Sequence, residues 1–313
     1  MADVVVVGAG VIGLTTAIRL QEAGAEVEVW SAADDPARIV SGVAAAVWYP
    51  TRIDPGAEVL RWAGDTYAEF RRQIGDGTPG TLLRRTRNLH REKVAELPWW
   101  TAAAGGAEIR DAFPPYAQEV VFDAPLAEMD VYLGWLGRRV RIVRKRVTGL
   151  DDVTSPVIVN ATGIAARELC RDDAVEPARG HVVIVENPGL DVSIRDVGGD
   201  TYIHPRTRDV VLGGTFGIGE WDTGPDPAEA ESIVARCVAL EPKLAEARVL
   251  HTKVGLRPVR RGGPRVELET RPDGRRIVHN YGHGGAGMTL SWGCADEVVR
   301  LLGGAGDRGR LRQ

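Results

Sequence analysis

The chain opens with Val4-Val5-Val6-Val7-Gly8-Ala9-Gly10-Val11-Ile12-Gly13-Leu14, in which a run of valines leads into three spaced glycines. Such a valine run is typical of a strand buried on both faces. Apolar residues at helical spacing follow as far as Ala23, Gly24 ends that helix, and residues 27–30 predict a second strand. The order of strand, glycine turn, helix and strand predicts a dinucleotide-binding unit.

The three glycines have separate geometric roles in such a unit. Gly8 allows the tight turn, Gly10 lets a pyrophosphate approach the backbone, and Gly13 lets the helix pack closely on the strand. The free N–H groups at the start of the helix then face an anion. This fingerprint by itself does not distinguish FAD from NAD.

The acidic residue that usually binds the ribose after the second strand is missing. Ala32 stands at that position, and Asp34 and Asp35 come slightly later. Either one of these two acids reaches back to the ribose, or backbone groups and water hold it.

Composition excludes several classes of partner. The 313 residues suit two domains, and the net charge of −4 gives no reason to expect nucleic acid or an anionic membrane. There is no apolar run long enough to cross a membrane and no signal-peptide layout before the first strand. Cys170, Cys237 and Cys294 are far apart and lack metal-ligand spacing. We therefore expect a reduced, cytoplasmic protein with no metal site.

The secondary-structure pattern that the sequence predicts changes along the chain. Residues 156–160 predict another buried strand, which ends in a small-residue turn suited to the neighbourhood of a dinucleotide. From Gly180, short strands rich in branched residues are expected over 181–185, 201–204 and 209–214, in a separate antiparallel sheet that carries a substrate pocket. Further helices are expected over residues 57–74, 129–136, 227–239 and 288–302.

A second glycine cluster lies in residues 277–295, again as a strand, a glycine loop and a helix start. Two such loops suit a long flavin dinucleotide, held at the pyrophosphate by the first loop and near the ring by the second. A helix N-terminus beside the ring stabilises the negative charge of the reduced flavin. We expect FAD, bound non-covalently, and expect His279 and His283 to orient loop backbone.

This stretch resembles the signature of the D-amino-acid oxidase family. Further matches occur in order along nearly the whole chain, and the weakest stretch is about 53–123. They are residues 8–13, 44–50, 159–163, 179–180, 202–205 and 255–260. The resemblance implies an α/β fold in which a Rossmann-like FAD domain (1–52, 126–180 and 266–313) carries an inserted antiparallel-sheet substrate domain (53–125 and 181–265).

The resemblance also implies roles for individual residues. Arg257 matches the arginine that grips the substrate α-carboxylate, and its planar fork of fixed charge suits that task. Tyr202 matches a tyrosine whose hydroxyl touches the same carboxylate, and Gly285 a glycine whose carbonyl accepts from the amine. The expected cofactor contacts are Gly8, Ala9, Gly10, Val11, Ile12, Gly13, Ser41, Gly42, Ala45, Ala46, Ile164, Gly282, Gly284, Gly285, Ala286, Gly287, Met288 and Thr289.

Some positions depart from the family pattern. Tyr49 stands where vertebrate members have a glutamine that helps to hold the amine, and Ala286 replaces the usual tyrosine. Residues 197–201 lack the second pocket tyrosine of those members, so we expect a lid that is shorter or built differently.

The activity implied is oxidative deamination of D-amino acids to 2-oxo acids and ammonia by hydride transfer to FAD, followed by reoxidation by oxygen with release of hydrogen peroxide. No protein base is required, which agrees with the lack of an obvious catalytic carboxylate. The alternatives are a glycine- or sarcosine-type flavin oxidase, a D-aspartate oxidase, which would need a further basic residue that the sequence does not place, and a nucleotide-binding sensor. A homodimer is compatible with all of these.

Overall fold

Two β-sheets organise the part of the chain that the structure, a computed structural model, describes: residues 2–33, 39–50 and 52–303. The strands are β1 (Val4–Val7), β2 (Val27–Ser31), β3 (Thr81–His90), β4 (Glu108–Asp111), β5 (Gln118–Ala127), β6 (Arg141–Arg144), β7 (Val157–Asn160), β8 (Val175–Glu186), β9 (Ser193–Asp196), β10 (Tyr202–Pro205), β11 (Asp209–Gly213), β12 (Gly217–Ile218), β13 (Val249–Arg260), β14 (Arg265–Thr270) and β15 (Arg276–Tyr281). The α-helices are α1 (Val11–Glu22), α2 (Val40–Val43), α3 (Ala57–Gly75), α4 (Met129–Gly137), α5 (Ala166–Leu169), α6 (Pro227–Leu240) and α7 (Gly287–Leu301).

The first sheet has the strand order β14-β15-β7-β1-β2-β6 and is parallel except for the β14–β15 pair. The valine strand β1 lies between β2 and β7, and all four of its residues are buried. Burial on both faces explains why its sequence is apolar throughout rather than alternating.

The second sheet has the order β12-β8-β11-β10-β9-β3-β5-β4, and β13 pairs with β8 along the length of both strands. Its pairs are antiparallel except for β3 and β9, which run parallel. One face is apolar and packs on Ile233 and Cys237 of α6. A parallel α/β sheet joined to a mainly antiparallel sheet confirms the predicted fold class.

Helices α1, α3 and α7 pack together beside the first sheet. Thr15 of α1 donates a hydrogen bond to the carbonyl of Ser291 in α7, at 3.2 Å. The backbone N–H of Gly293 in α7 donates to Thr66 of α3, at 2.9 Å. The two backbones approach so closely that a Cβ on Gly293 would lie 2.2 Å from the carbonyl oxygen of Trp62.

The predicted helices agree with the structure to within one or two residues at their ends. Strand β9 was absent from the sequence prediction, and the strands β3 to β5 lie in the stretch where the resemblance is weakest. The predicted division into two domains stays a prediction, and parts of its first and last segments lie outside the described residues. The predicted limits at 125/126 and 180 fall inside β5 and β8.

We expect Gly293→Ala to lower the free energy of unfolding by about 1–3 kcal/mol, because the added methyl group meets backbone atoms that cannot rotate away. Gly64→Ala is the matched control on α3, since its added Cβ would lie 3.7 Å from Ala103, an ordinary contact. Alanine also favours a helix by up to about 1 kcal/mol over glycine. Chemical denaturation of the two variants checks this, and equal stability would contradict the close α3–α7 packing.

Candidate active site

A cavity of about 580 Å³ begins at the first glycine turn and extends between the two sheets. Its lining includes the end of β2 at residues 30–33, the turn at 8–12, the turn at 161–165, and Gly284 and Gly287 at the start of α7. It therefore joins the two glycine loops that the sequence singled out.

Glycine backbone clears the space at the N-terminus of α1. Gly8 has φ +115°, and a Cβ there would lie 2.3 Å from the carbonyl oxygen of Ala161. Gly10 is the N-cap of α1 and provides no side-chain cap. The N–H of Val11 donates to the hydroxyl of Ser41, at 3.1 Å, which ties α2 to the start of α1. The arrangement presents the positive end of a helix to the cavity.

A second cavity, of about 140 Å³, adjoins the first. The lining residues shared by the two cavities are Val11, Val40, Ser41, Val43, Gly255, Gly284 and Gly287. The second cavity has room for a small molecule and lies against one face of the second sheet.

Arg257 lines this second cavity from β13. Its Nη1 donates to the carbonyl of Thr215, at 3.0 Å, and its guanidinium lies 5.4 Å from the ring centre of Phe216. The side chain lies across Gly180 of the neighbouring strand, where a Cβ would be 2.0 Å from Nη1. Because Gly180 has no side chain, the Arg257 side chain can reach the pocket.

Tyr202 lies across a glycine in the same way. A Cβ on Gly213, its register partner on β11, would be 1.8 Å from the Tyr202 ring. The ring stacks on His204, with centroids 4.8 Å apart and an interplanar angle of 17°. Burial and the nearby Arg195 lower the pKa of His204 to about 3, so this imidazole is neutral near pH 7.

Arg257, Tyr202 and Gly285 line the second cavity together, as the sequence predicts for a substrate site. The predicted cofactor residues that line one or both cavities are Gly8, Ala9, Gly10, Val11, Ile12, Ser41, Ala45, Ala46, Ile164, Gly284, Gly285, Gly287 and Met288. Their roles toward a ligand stay predictions.

Five predicted cofactor residues do not line these cavities and have structural contacts instead. They are Gly13, Gly42, Gly282, Ala286 and Thr289. A Cβ on Gly13 would lie 1.9 Å from the carbonyl oxygen of Gly8, which is the close helix–strand contact that the sequence predicts. The Thr289 hydroxyl exchanges hydrogen bonds with the backbone N–H and C=O of Tyr49, both at 3.1 Å.

Sequence reasoning missed several residues of the second cavity, among them Thr86, Asn88, Arg195 and Asp200. The 197–201 segment joins β9 to β10, and Asp200 within it forms an ion pair with Arg52, at 2.6 Å. Arg195 is a further basic residue that lines this cavity, and the sequence analysis did not place it there. The available signal for a strand was a short alternation of polar and apolar residues, with Ser193 and Arg195 on either side of Ile194.

The end of the first cavity that borders residues 30–33 has no acid among its described lining residues. Ala32 lines it beside Ser31, whose hydroxyl accepts from the N–H of Ala33, at 3.2 Å. Lys145 also lines it, with Nζ 3.6 Å from the ring centre of Trp30. Asp34 and Asp35, the two predicted alternatives for the ribose, lie outside the described residues.

Within the described ranges, no helix is long and apolar enough to cross a membrane. In the same part of the chain, no group of three or more His, Cys, Asp or Glu side chains is placed to hold a metal ion.

The fold and the paired cavities are typical of a nucleotide-dependent enzyme that acts on small molecules. Comparison with known proteins gives the family. A family model described as FAD dependent oxidoreductase matches residues 3–301. The chain belongs to this family, which confirms both the resemblance inferred from its motifs and FAD as the cofactor.

Two curated relatives are both D-amino-acid oxidases. That of Rubrobacter xylanophilus is 46% identical, over 97% of this chain and 97% of the relative. That of Streptomyces coelicolor is 43% identical, over 96% of each chain. Among solved structures, glycine oxidase from Geobacillus kaustophilus aligns with a TM-score of 0.78 at 18% identity, covering 96% of this chain and 94% of that one. At this level of sequence identity, the structural similarity shows a shared fold only.

We expect Gly10→Val to weaken FAD binding at least tenfold, because its side chain enters the space at the N-terminus of α1 where a phosphate would sit. Gly56→Val is the matched control: Gly56 caps α3, and a Cβ there meets no atom within 4 Å. Flavin content per chain and reconstitution of the stripped protein with FAD measure the effect. Unchanged loading of Gly10→Val would contradict this placement of the pyrophosphate.

Proposed function

We propose that this protein oxidatively deaminates D-amino acids with FAD and oxygen, giving 2-oxo acids, ammonia and hydrogen peroxide. The observation that carries the proposal is that Arg257, Tyr202 and Gly285 line one small cavity, which adjoins the dinucleotide cavity. Family membership and the names of the two relatives support the same reaction.

The residues present fit FAD. Glycine backbone at positions 8 and 10 leaves room that a Cβ would fill, and the N-terminus of α1 suits a pyrophosphate. The lining of the second cavity includes small or flexible side chains at Ala45, Ala46 and Met288. When bound, FAD accepts a hydride and passes two electrons to oxygen.

The contribution of the protein is to hold the substrate in one orientation. Arg257 offers a fixed positive fork to the α-carboxylate, and the Tyr202 hydroxyl supplies a further donor to it. The carbonyl of Gly285 accepts a hydrogen bond from the neutral amine. Positioning of this kind lowers the barrier because the orientational entropy is lost on binding, before the chemical step.

Selection of the D-isomer follows from the same contacts. The carboxylate, the amine and the side chain are each held by a different wall of the pocket. Once these three positions are fixed, only one enantiomer directs its Cα hydrogen toward the dinucleotide cavity. The L-isomer can satisfy two of the contacts but then directs this hydrogen away.

We also propose the cytoplasm as the compartment. All three cysteines are free, and Cys237 and Cys294 are fully buried. Burial raises the pKa of the Cys237 thiol to about 12, so this thiol resists oxidation. Unpaired thiols suit a reducing compartment. The homodimer stays a prediction, which sedimentation of the holoenzyme tests.

Anaerobic mixing with D-alanine, D-methionine, D-aspartate, glycine, sarcosine and L-alanine tests the reaction directly. We expect the flavin absorbance to bleach with D-alanine and to persist with L-alanine. Bleaching by glycine or sarcosine alone would indicate the glycine-oxidase type of reaction, and a flavin that bleaches with none of them would exclude the proposed function.

We expect Arg257→Met to lower kcat/KM for D-alanine by 30-fold or more, equivalent to about 2–5 kcal/mol, because the substrate carboxylate loses its charged partner in a buried site. Methionine keeps most of the side-chain length without the charge. Arg261→Met is the control, since Arg261 lies on the surface with 62% of its side chain exposed. Near-native kcat/KM in an FAD-loaded Arg257→Met protein would show that the carboxylate binds elsewhere.

A further inference from the structure

The segment between β11 and α6 contributes to the walls of both cavities. We call residues 214–226 the connecting segment. Thr215 and Phe216 line the second cavity, and Thr223 lines the first. Every residue from 218 to 226 is exposed. Apolar packing therefore does not hold this part of the segment, and polar contacts must do so.

Arg257 takes its position from the near end of the connecting segment. Its Nη1 donates to the carbonyl of Thr215, at 3.0 Å, and its guanidinium lies 5.4 Å from the ring centre of Phe216. Within the described residues, neither Nε nor Nη2 of Arg257 has a protein acceptor. A guanidinium has five N–H donors, so one side of the fork is held by the protein and the other donors are left for a carboxylate.

Arg179 of β8 holds the far end of the connecting segment. Its Nε donates to the carbonyl of Asp222, at 3.0 Å, and its Nη2 to that of Gly224, at 2.9 Å. Its Nη1 donates to a carboxylate oxygen of Glu229 in the first turn of α6, at 2.7 Å. The side chain is only 7% exposed, although the segment that it contacts lies at the surface. One planar fork thus fixes two carbonyls of the segment and the helix that follows.

The near end of the segment is tied to the same stretch of β8. The backbone N–H of His181 donates to the hydroxyl of Thr215, at 3.0 Å. Its imidazole Nδ1 lies 2.7 Å from the Glu229 oxygen that Arg179 contacts. Although burial opposes it, hydrogen bonds from Arg179 and His181 lower the pKa of Glu229, so this carboxylate is ionised near pH 7. Two residues of β8 therefore hold both ends of the connecting segment.

Arg179 is a neighbour of Arg257 without lining the candidate site. On the paired strands β8 and β13 the register partner of Arg179 is Leu256, and the Arg179 carbonyl lies 3.5 Å from Nη1 of Arg257. Arg179 is not among the residues that line either cavity. An effect of its side chain on substrate binding must therefore pass through the connecting segment and Arg257.

We propose that Arg179 is a positioning residue, which holds the connecting segment on β8 and thereby fixes the Thr215 carbonyl that orients Arg257. This inference rests on the proposed function, in which Arg257 is the partner of the substrate carboxylate. Without the anchor, the segment leaves β8 and Arg257 loses its fixed orientation. The bound carboxylate then no longer directs the Cα hydrogen toward the dinucleotide cavity, and a misplacement of about 1 Å can cost on the order of 100-fold in rate.

Arg179→Lys tests this role with the positive charge retained. One ammonium group can pair with Glu229, but it cannot also reach two carbonyls in a fixed plane. At saturating FAD we expect kcat/KM for D-alanine to fall at least tenfold. We also expect the dissociation constant of propanoate, read from the flavin absorbance, to rise at least fivefold. Wild-type values of both in an FAD-loaded protein would overturn the inference.

Arg275→Lys is the matched control. Arg275 also ties a turn to another segment, since it donates to the carbonyl of Val153 and to the carboxylates of Asp151 and Asp273. It lines neither cavity, and 23% of its side chain is exposed. We expect this variant to keep the wild-type values. A loss of the same size here would show a general loosening of the fold and would contradict a specific role of Arg179.

A double-mutant cycle shows whether Arg179 acts through Arg257. In the Arg257→Met protein the carboxylate partner is already absent, so adding Arg179→Lys should lower kcat/KM for D-alanine by less than twofold. An equal loss in both backgrounds would overturn the inference, because Arg179 would then act independently of Arg257. A wild-type holoenzyme that oxidises no D-amino acid would instead remove the proposed function, and this inference with it.

Thr215→Val covers the case in which Arg179→Lys does not fold. Valine keeps the shape of the side chain and the backbone carbonyl but removes the hydroxyl that ties the segment to His181. We expect the dissociation constant of propanoate to rise at least threefold at unchanged FAD content. An unchanged constant would show that Arg257 does not depend on the position of the connecting segment, which would overturn the inference.

Discussion

Contact between backbone atoms at the first glycine turn constrains the rest of the structure. Gly8 lies so close to Ala161 that no side chain fits between β1 and the turn after β7, and Gly13 lies equally close to Gly8. These contacts fix where α1 begins relative to the ends of two parallel strands. The N-terminus of α1 therefore opens into the cavity at the carboxyl ends of the strands, the usual ligand position in open α/β sheets.

In the second sheet, glycines also remove side chains at close contacts, but here they make room for long side chains of the adjacent strand. Arg257 and Tyr202 each cover a glycine on the adjacent strand, Gly180 and Gly213, and a Cβ at either glycine would overlap the side chain above it. Both long side chains can thus lie along the sheet rather than stand away from it. Their polar ends border one small cavity although the residues are 55 positions apart in the chain. Rigid strands hold such groups more accurately than loops do.

Local sequence patterns were sufficient for one half of the fold and insufficient for the other. Strand β1 and helices α3, α6 and α7 show the run lengths and periodicities that define buried strands and amphipathic helices, so they were predictable without tertiary information. Strand β9 has four residues, two of them charged, and is a strand because β3 and β10 pair with it. The partner β3 lies more than 100 residues earlier, and no local signal reports such a pairing.

The candidate site likewise has one part that the sequence predicted and one part that it did not. Glycine loops have a recognisable spacing, and Arg257 and Tyr202 could be assigned through a family resemblance. Asn88 and Arg195 could not, because their place in the wall of the second cavity depends on their register across β3, β9 and β10. The residue composition of these strands follows from the different surroundings of their two faces. The face against α6 buries Ile194, Ile203 and Leu212 in an apolar core. In the part of the chain that the structure describes, the face toward the cavity buries polar atoms of Asn88, Ser193 and His204 that have no protein partner. Such atoms destabilise a fold unless a ligand or solvent pairs with them, by about 1–3 kcal/mol each. The apolar core on the other side supplies the stability that lets the sheet keep a polar wall, so the cavity lies where the local packing of this sheet is least favourable.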